Sequence, residues 1–308
     1  MMFGAEFVPL TLPPLVIATL AALACAGPGN FLLLRRQSLL GDAMSHVVLP
    51  GIVAAFLLTG SAAPAVMLAG ALAAAAISAL LIEVIRRAAR TDPGAAMGAT
   101  FTAMFASGVL LLETSGASAV HLDVEHALYG MLESLIWIDA TGWGSLVDPK
   151  ALATLPPELP LLALVATAIL AALALFWRPL SIATFDEGFA STLGIPTRAL
   201  SAGLTGLTAL AAVAAFSAVG SILTIAMLIC PAATARLLTD SLPRQMALSL
   251  GIAAASAILG TLAAGYLPLA LGLPFAVSAA GSIATMSGLF LGLAAWIGPR
   301  RHSATPSV

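Results

Sequence analysis

The chain has 308 residues, of which 60% are hydrophobic and only 8% charged, with a formal net charge of −2 and a mean hydropathy of +1.07. Soluble domains carry about 45–50% apolar and about 25% charged residues, so a water-soluble globule is excluded, and the lack of any basic patch excludes nucleic-acid binding. A membrane-spanning helix uses about 20 residues; the composition therefore predicts an all-α integral membrane protein, a polytopic bundle of eight to ten spans forming a single transmembrane domain over residues 1–308.

In chain order, Met1 to Pro9 contains Glu6 and neither Lys nor Arg, so the basic leader of a secretory signal is missing and the first apolar stretch reads as a retained span. Apolar runs between polar breaks predict nine spans: Val8–Leu34, Ala43–Leu58, Ala65–Ile85, Ala95–Leu112, Leu161–Trp177, Leu200–Phe216, Val219–Leu237, Met246–Leu267 and Gly272–Ile297. Only Ser217–Ala218 separates the sixth from the seventh, which leaves open that one of them is a half-helix lining a cavity. Between the spans lie an outer loop of about 113–157, a segment of about 178–199 and a tail at 299–308. Cys25 and Cys230 both sit in apolar runs and read as small buried hydrophobes.

The basic residues orient the bundle. Arg35, Arg36, Arg86, Arg87, Arg90, Arg178, Arg198, Arg236, Arg244, Arg300 and Arg301 all fall in connections on one face once the spans alternate, and the other face has Lys150 alone. The arginine face is therefore expected in the cytoplasm, with the N-terminus outside and the C-terminus inside. The outer face collects Glu6, Glu113, Asp123, Glu125, Glu133, Asp139, Asp148 and Glu158. That field would attract cations, or it reflects acids gathering where positive charge is excluded; both readings stand at this point.

An ionisable group within a span is costly and marks a functional position. In the stretch from Arg35 to Gly51, Asp42 and His46 are one i,i+4 step apart, which stacks them on one helix face. Carboxylate oxygen with imidazole nitrogen suits a divalent zinc, manganese or iron ion. The same pair is also what an N-cap aspartate and a packing histidine look like. Outside, His121, Asp123, Glu125 and His126 fall within six positions, either a first outer contact for a metal or an ordinary wet loop. Glu83, ahead of Arg86 and Arg87, reads as an end-of-helix ion pair. On the arginine face, Thr184 to Arg198 predicts a short amphipathic helix from about Asp186 to Leu193, stopped by Gly194 and Pro196, with Phe185 and Phe189 on one face. Such a helix lies on the membrane surface or plugs into a soluble partner. Lys150 is the only lysine, so no phosphate loop of the G-x-x-x-x-G-K-[ST] kind exists in this chain, and H-E-x-x-H is absent too.

Three blocks now carry a resemblance. Arg35-Arg36-Gln-Ser-Leu-Leu-Gly-Asp42-Ala-Met-Ser-His46-Val-Val-Leu-Pro-Gly51, the segment Thr184-Phe185-Asp186 to Gly194-Ile-Pro196, and Ile229-Cys-Pro231-Ala-Ala-Thr-Ala-Arg236 together resemble the permease subunits of the bacterial zinc/manganese/iron ABC importers, over essentially the whole chain. His126-Ala-Leu-Tyr129-Gly130 is similar to the branch associated with manganese or iron as well as zinc. Gln37 replaces a more usual Met, and Cys230 an aliphatic residue. The resemblance implies a non-enzymatic transport subunit of the bacterial inner membrane with no cofactor of its own. It implies that the transported manganese or zinc, or iron, contacts Asp42 and His46, and that Phe185, Asp186, Glu187, Phe189, Gly194 and Pro196 couple to a separate ATP-binding subunit. A periplasmic or lipoprotein binding protein and a second permease, identical or sister, complete the assembly it implies. A gradient-driven secondary metal transporter is the alternative for the same Asp/His pair, and a membrane scaffold or sensor a further one.

Overall fold

The structure is a computed structural model that describes residues 6–61, 64–91, 93–115, 132–272 and 277–298, without the side chains of positions 39, 42, 44–46, 64, 65, 87, 93 and 115. Every regular element among the described residues is helical: α1 Phe7–Leu10, α2 Leu12–Leu34, α3 Leu39–Thr59, α4 Pro64–Ala89, α5 Pro93–Ser115, α6 Pro149–Leu152, α7 Glu158–Leu175, α8 Trp177–Phe185, α9 Glu187–Thr192, α10 Thr197–Leu238, α11 Leu242–Ala270 and α12 Ala279–Ile297. Two short 3₁₀ turns, Leu132–Ser134 and Trp143–Val147, precede α6.

Where backbone groups face hydrocarbon they must all be paired within the protein, by a helix or by a closed barrel, and apolar runs of about 20 residues fit the helix. Seven helical runs among the described residues are long and apolar enough to cross a membrane, against the nine expected. Both differences are local. The described apolar part of α3, Val47–Thr59, is short, and the two predicted spans on either side of Ser217–Ala218 count once because they are continuous in a 42-residue run, α10, although the run is two helices that break at Gly220.

Gly220 has φ 77° and ψ 173°, a conformation open essentially to glycine alone. A straight helix of this length would extend about 63 Å, which would carry its ends to opposite sides of any bilayer. The contacts show otherwise. The start of α10 follows α9 directly, and Glu187 of α9 acts electrostatically on Arg35 at the end of α2. At the other end, Leu228 lies against Gly29 of α2 and Gly41 of α3, and Leu237 against Gly298 past the end of α12. Both ends of α10 thus sit at the end of the bundle where α2 terminates, so the chain turns back at Gly220.

Helix α2 is the hub, packed by α7, α10 and α11, and α3 packs on α4, α5 and α10. Small residues permit the close approaches. A Cβ on Gly29 would overlap the carbonyl oxygen of Leu228, one on Gly70 would strike the Gly51 carbonyl, and one on Gly108 would meet the backbone of Pro50. At the end opposite the arginines, a cap formed by residues 132–157 closes over the start of α2: Trp137 is buried with Val8, Ala140 and Ala151, takes Pro9 as its backbone acceptor, and donates its indole N–H to the Ala151 carbonyl at 2.8 Å. Glu133 in this cap accepts a hydrogen bond from the backbone N–H of Ala279 at the start of α12, where a carboxylate also complements the helix dipole.

Candidate functional site

Asp42 and His46 fall in the first two turns of α3, on the register that continues through Leu49 and Val53. Those two residues are buried and cluster with Leu112 of α5. The side chains of Asp42 and His46 lie outside the described residues, as do His121, Asp123, Glu125 and His126 altogether. Asp42 is not the N-cap of α3: that position belongs to Ser38. Pro50 inside α3 has no N–H to offer the carbonyl of His46 four residues earlier. Among the described residues no group of three or more His, Cys, Asp or Glu side chains converges.

The turn leading into α3 is tightly built. The Gln37 N–H bonds to the Leu32 carbonyl at 2.8 Å and the Arg36 N–H to the Leu33 carbonyl at 3.1 Å, the paired bonds of a Schellman ending. Glycine normally takes the left-handed position of that motif; here Arg36 does, at φ 57°. For a residue with a Cβ this conformation costs roughly 1–2 kcal/mol.

At the same end of the bundle, the predicted amphipathic segment is present. Asp186 is the N-cap of α9 and its carboxylate accepts from the Phe189 N–H at 2.8 Å, the standard way of satisfying a first-turn donor. Gly194, at φ 75°, closes the helix with the Ile195 N–H on the Ala190 carbonyl and its own N–H on the Ser191 carbonyl. Ala190 is buried. Phe185, Phe189 and Leu193 are 63%, 54% and 54% exposed, and Asp186, Glu187, Gly194 and Pro196 are exposed as well. An apolar surface of this kind, at the arginine end and away from the hydrophobic core, suits a partner's groove.

Other expectations can be placed. Arg86 pairs with Glu83 at 2.8 Å across i,i+3. Cys25 is fully buried, whereas Cys230 is only half-buried, beside Ser287.

Two features escaped the sequence reading. Asn30, the only asparagine in the chain, is wholly buried and donates to Ser249 Oγ at 3.0 Å, to Met246 Sδ at 3.5 Å and to the Ala26 carbonyl at 2.8 Å. The Gln245 amide nitrogen donates to Asn30 Oδ1 at 3.1 Å, leaving Gln245 Oε1 buried without a partner. A lone amide in an apolar run is a signal of such a network. The second is Arg35, half-buried at the end of α2, whose Nε donates to Thr184 Oγ1 of α8 at 3.1 Å. Burial lowers its pKa from the usual arginine range, and Glu187 pushes it back up.

This is the architecture of a multi-pass membrane permease. Residues 8–139 and 150–292 match the ABC 3 transport family, and the chain belongs to that family, as the three sequence blocks implied. It is 38% identical over 277 residues to the manganese transport system membrane protein MntD of Bacillus subtilis, covering 89% of this chain and 88% of the relative. It is 34% identical over 293 residues to the zinc transport system membrane protein TroD of Treponema pallidum, covering 94% and 75%. Among solved structures, PsaBC from Streptococcus pneumoniae in complex with Fab superposes with a TM-score of 0.75 at 28% identity, covering 94% of this chain and 92% of that one.

Proposed function

We propose that this chain is the permease subunit of an ATP-driven importer that moves a divalent transition metal, manganese or zinc, into the cytoplasm across the bacterial inner membrane, with the N-terminus outside and the C-terminus inside. One observation carries the reading: the exposed Phe185/Phe189 surface of α8 and α9 lies at the same end of the bundle as the turn that starts α3, the helix of Asp42 and His46. A docking surface for an ATPase and a metal-carrying helix are thereby mechanically adjacent. Curated relatives named for manganese and zinc transport add support.

In this reading a binding protein docks on the acidic outer face and releases its metal there, with His121, Asp123, Glu125 and His126 as a first contact. The ion then passes to Asp42 and His46. Carboxylate and imidazole provide enough affinity to strip a hydrated divalent ion, yet few enough ligands to let it go. Two permeases enclose the path, because ATPase subunits close as a pair and each needs a segment like α9. ATP is bound and split by the partner, and the work reaches this chain through Phe185, Asp186, Glu187, Phe189, Gly194 and Pro196.

The test is metal accumulation in cells lacking their own high-affinity uptake, with this chain coexpressed with its ATPase and binding protein under manganese or zinc limitation. Uptake should need the ATPase and should be abolished by Asp42→Ala or His46→Ala with the complex still assembled. Uptake that persists without the ATPase would replace this mechanism by a gradient-driven transporter.

A further inference from the structure

We propose that Arg35 is a positioning residue that transmits movement of the coupling segment to α3, an inference that rests on the importer reading above. On the last turn of α2, Phe31 and Arg35 are one i,i+4 step apart and share a face. On α8, Trp177 and Thr184 share a face in the same way, two turns apart. The two faces meet at both points. The rings of Phe31 and Trp177 pack edge to face with centroids 5.8 Å apart, and Arg35 Nε donates to Thr184 Oγ1 at 3.1 Å. Thr184 spends its own proton on the Leu180 carbonyl at 2.7 Å, so its oxygen is held with a lone pair toward the guanidinium. Leu180 and Ala183 of the same helix are buried. Helix α8 is thus clamped to α2 by an apolar contact and a charge-assisted hydrogen bond, and Glu187 of α9 faces the same guanidinium electrostatically.

The turn after Arg35 makes the clamp a lever rather than a mere anchor. Arg36 is locked at φ 57° by the two hydrogen bonds that end α2, Ser38 is the N-cap of α3, and α3 starts at Leu39. Only three residues separate Arg35 from the helix of Asp42 and His46, and they form a stiff turn. A loose loop would absorb a shift of α8 and α9; this turn hands it on to α3, as coupling through a contiguous packed network requires. Arginine suits the place because its planar fork can bond one neighbour through Nε and turn its remaining N–H groups to another.

The experiment reconstitutes the complete transporter in vesicles and measures Mn²⁺ and Zn²⁺ moved per ATP hydrolysed for the wild type, Thr184→Val, Thr184→Ser, Arg35→Gln and the Arg35→Gln/Thr184→Val double variant. Val keeps the shape of Thr and removes the hydroxyl, and with it both the acceptor for Arg35 and the donor to the Leu180 carbonyl. We expect Thr184→Val and Arg35→Gln each to lower the ratio about tenfold or more, the lower end of what one charge-assisted hydrogen bond is worth. The double variant should fall no further than the single ones, and Thr184→Ser should restore the ratio. A purely structural contact would reduce the amount of assembled complex and leave metal per ATP unchanged; that result, or losses that multiply in the double variant, overturns the proposal. Wild-type uptake that needs no ATP would instead overturn the importer reading itself, and this inference with it.

Discussion

Replacing Asn30 tests whether the buried amide network between α2 and α11 holds the fold. Asn30 is wholly buried, and its two closer side-chain partners on the facing helix are Ser249 at 3.0 Å and Gln245 at 3.1 Å, with Met246 Sδ farther off at 3.5 Å. Side-chain hydrogen bonds between membrane helices average about 0.6 kcal/mol and reach about 1.7, so two lost bonds amount to about 1–3 kcal/mol. Asn30→Leu has the further effect of stranding the whole Gln245 amide, whose Oε1 already lacks a partner. Removing the second polar group should therefore help: Asn30→Leu/Gln245→Met leaves no orphaned amide. The assay is SDS titration of the purified protein in mixed micelles, followed by tryptophan fluorescence. Asn30→Leu should lose about 1–3 kcal/mol, and the double variant should recover at least about half of it. Losses that simply add in the double variant would refute the reasoning, as would an Asn30→Leu protein as stable as the wild type.

Three other perturbations concern single positions. Gly220→Ala forces a Cβ into a backbone region that only glycine occupies, at a cost of about 1–3 kcal/mol; thermal unfolding of the purified complex should shift downward, and an unchanged midpoint would mean that the turn in α10 lies elsewhere. In Gly29→Ala the new methyl meets the Leu228 carbonyl, so overpacking of about 1–3 kcal/mol should outweigh the roughly 1 kcal/mol of helix propensity gained, read as a lower midpoint in the same titration. Asp186→Ala removes the cap bonded to Phe189, about 1 kcal/mol of local helix stability. Pull-down of the ATPase by this variant should weaken measurably while the bundle keeps its midpoint, and full retention would separate α9 from the docking surface.

Much of this protein was legible in its residues because membranes simplify the code. Hydrocarbon admits only helices and closed barrels, and apolar runs of about 20 residues are helix-length, so those runs announced the spans, and the arginines sorted their connections. The short helix at Asp186 was equally readable: an N-cap acid, Gly194 and Pro196 are local signals, and local hydrogen bonds decide them. Asp42 and His46 stood out because charge is expensive in a span, and their i,i+4 spacing follows from helix geometry alone. The count of spans was less secure, since a hydropathy pattern does not say whether 42 apolar residues run straight. That depended on Gly220, where φ 77° lets the chain reverse.

Tertiary structure alone decided the rest. Asn30 and Gln245 are separated by 215 positions, and Arg35 and Thr184 by 149. No periodicity links such residues; they meet only because α2 is the hub on which α8, α10 and α11 all pack. The left-handed Arg36 is a similar case, because its local preference argues against the conformation and only the two bonds closing α2 hold it there. Sequence by itself thus determined that the chain crosses a membrane, where its helices lie and which of its residues are chemically unusual, since these follow from the solvent and from short-range spacing. Which helices touch, and so which distant polar groups act together, depended on the packing of the bundle, where specificity comes from contacts far apart in the chain.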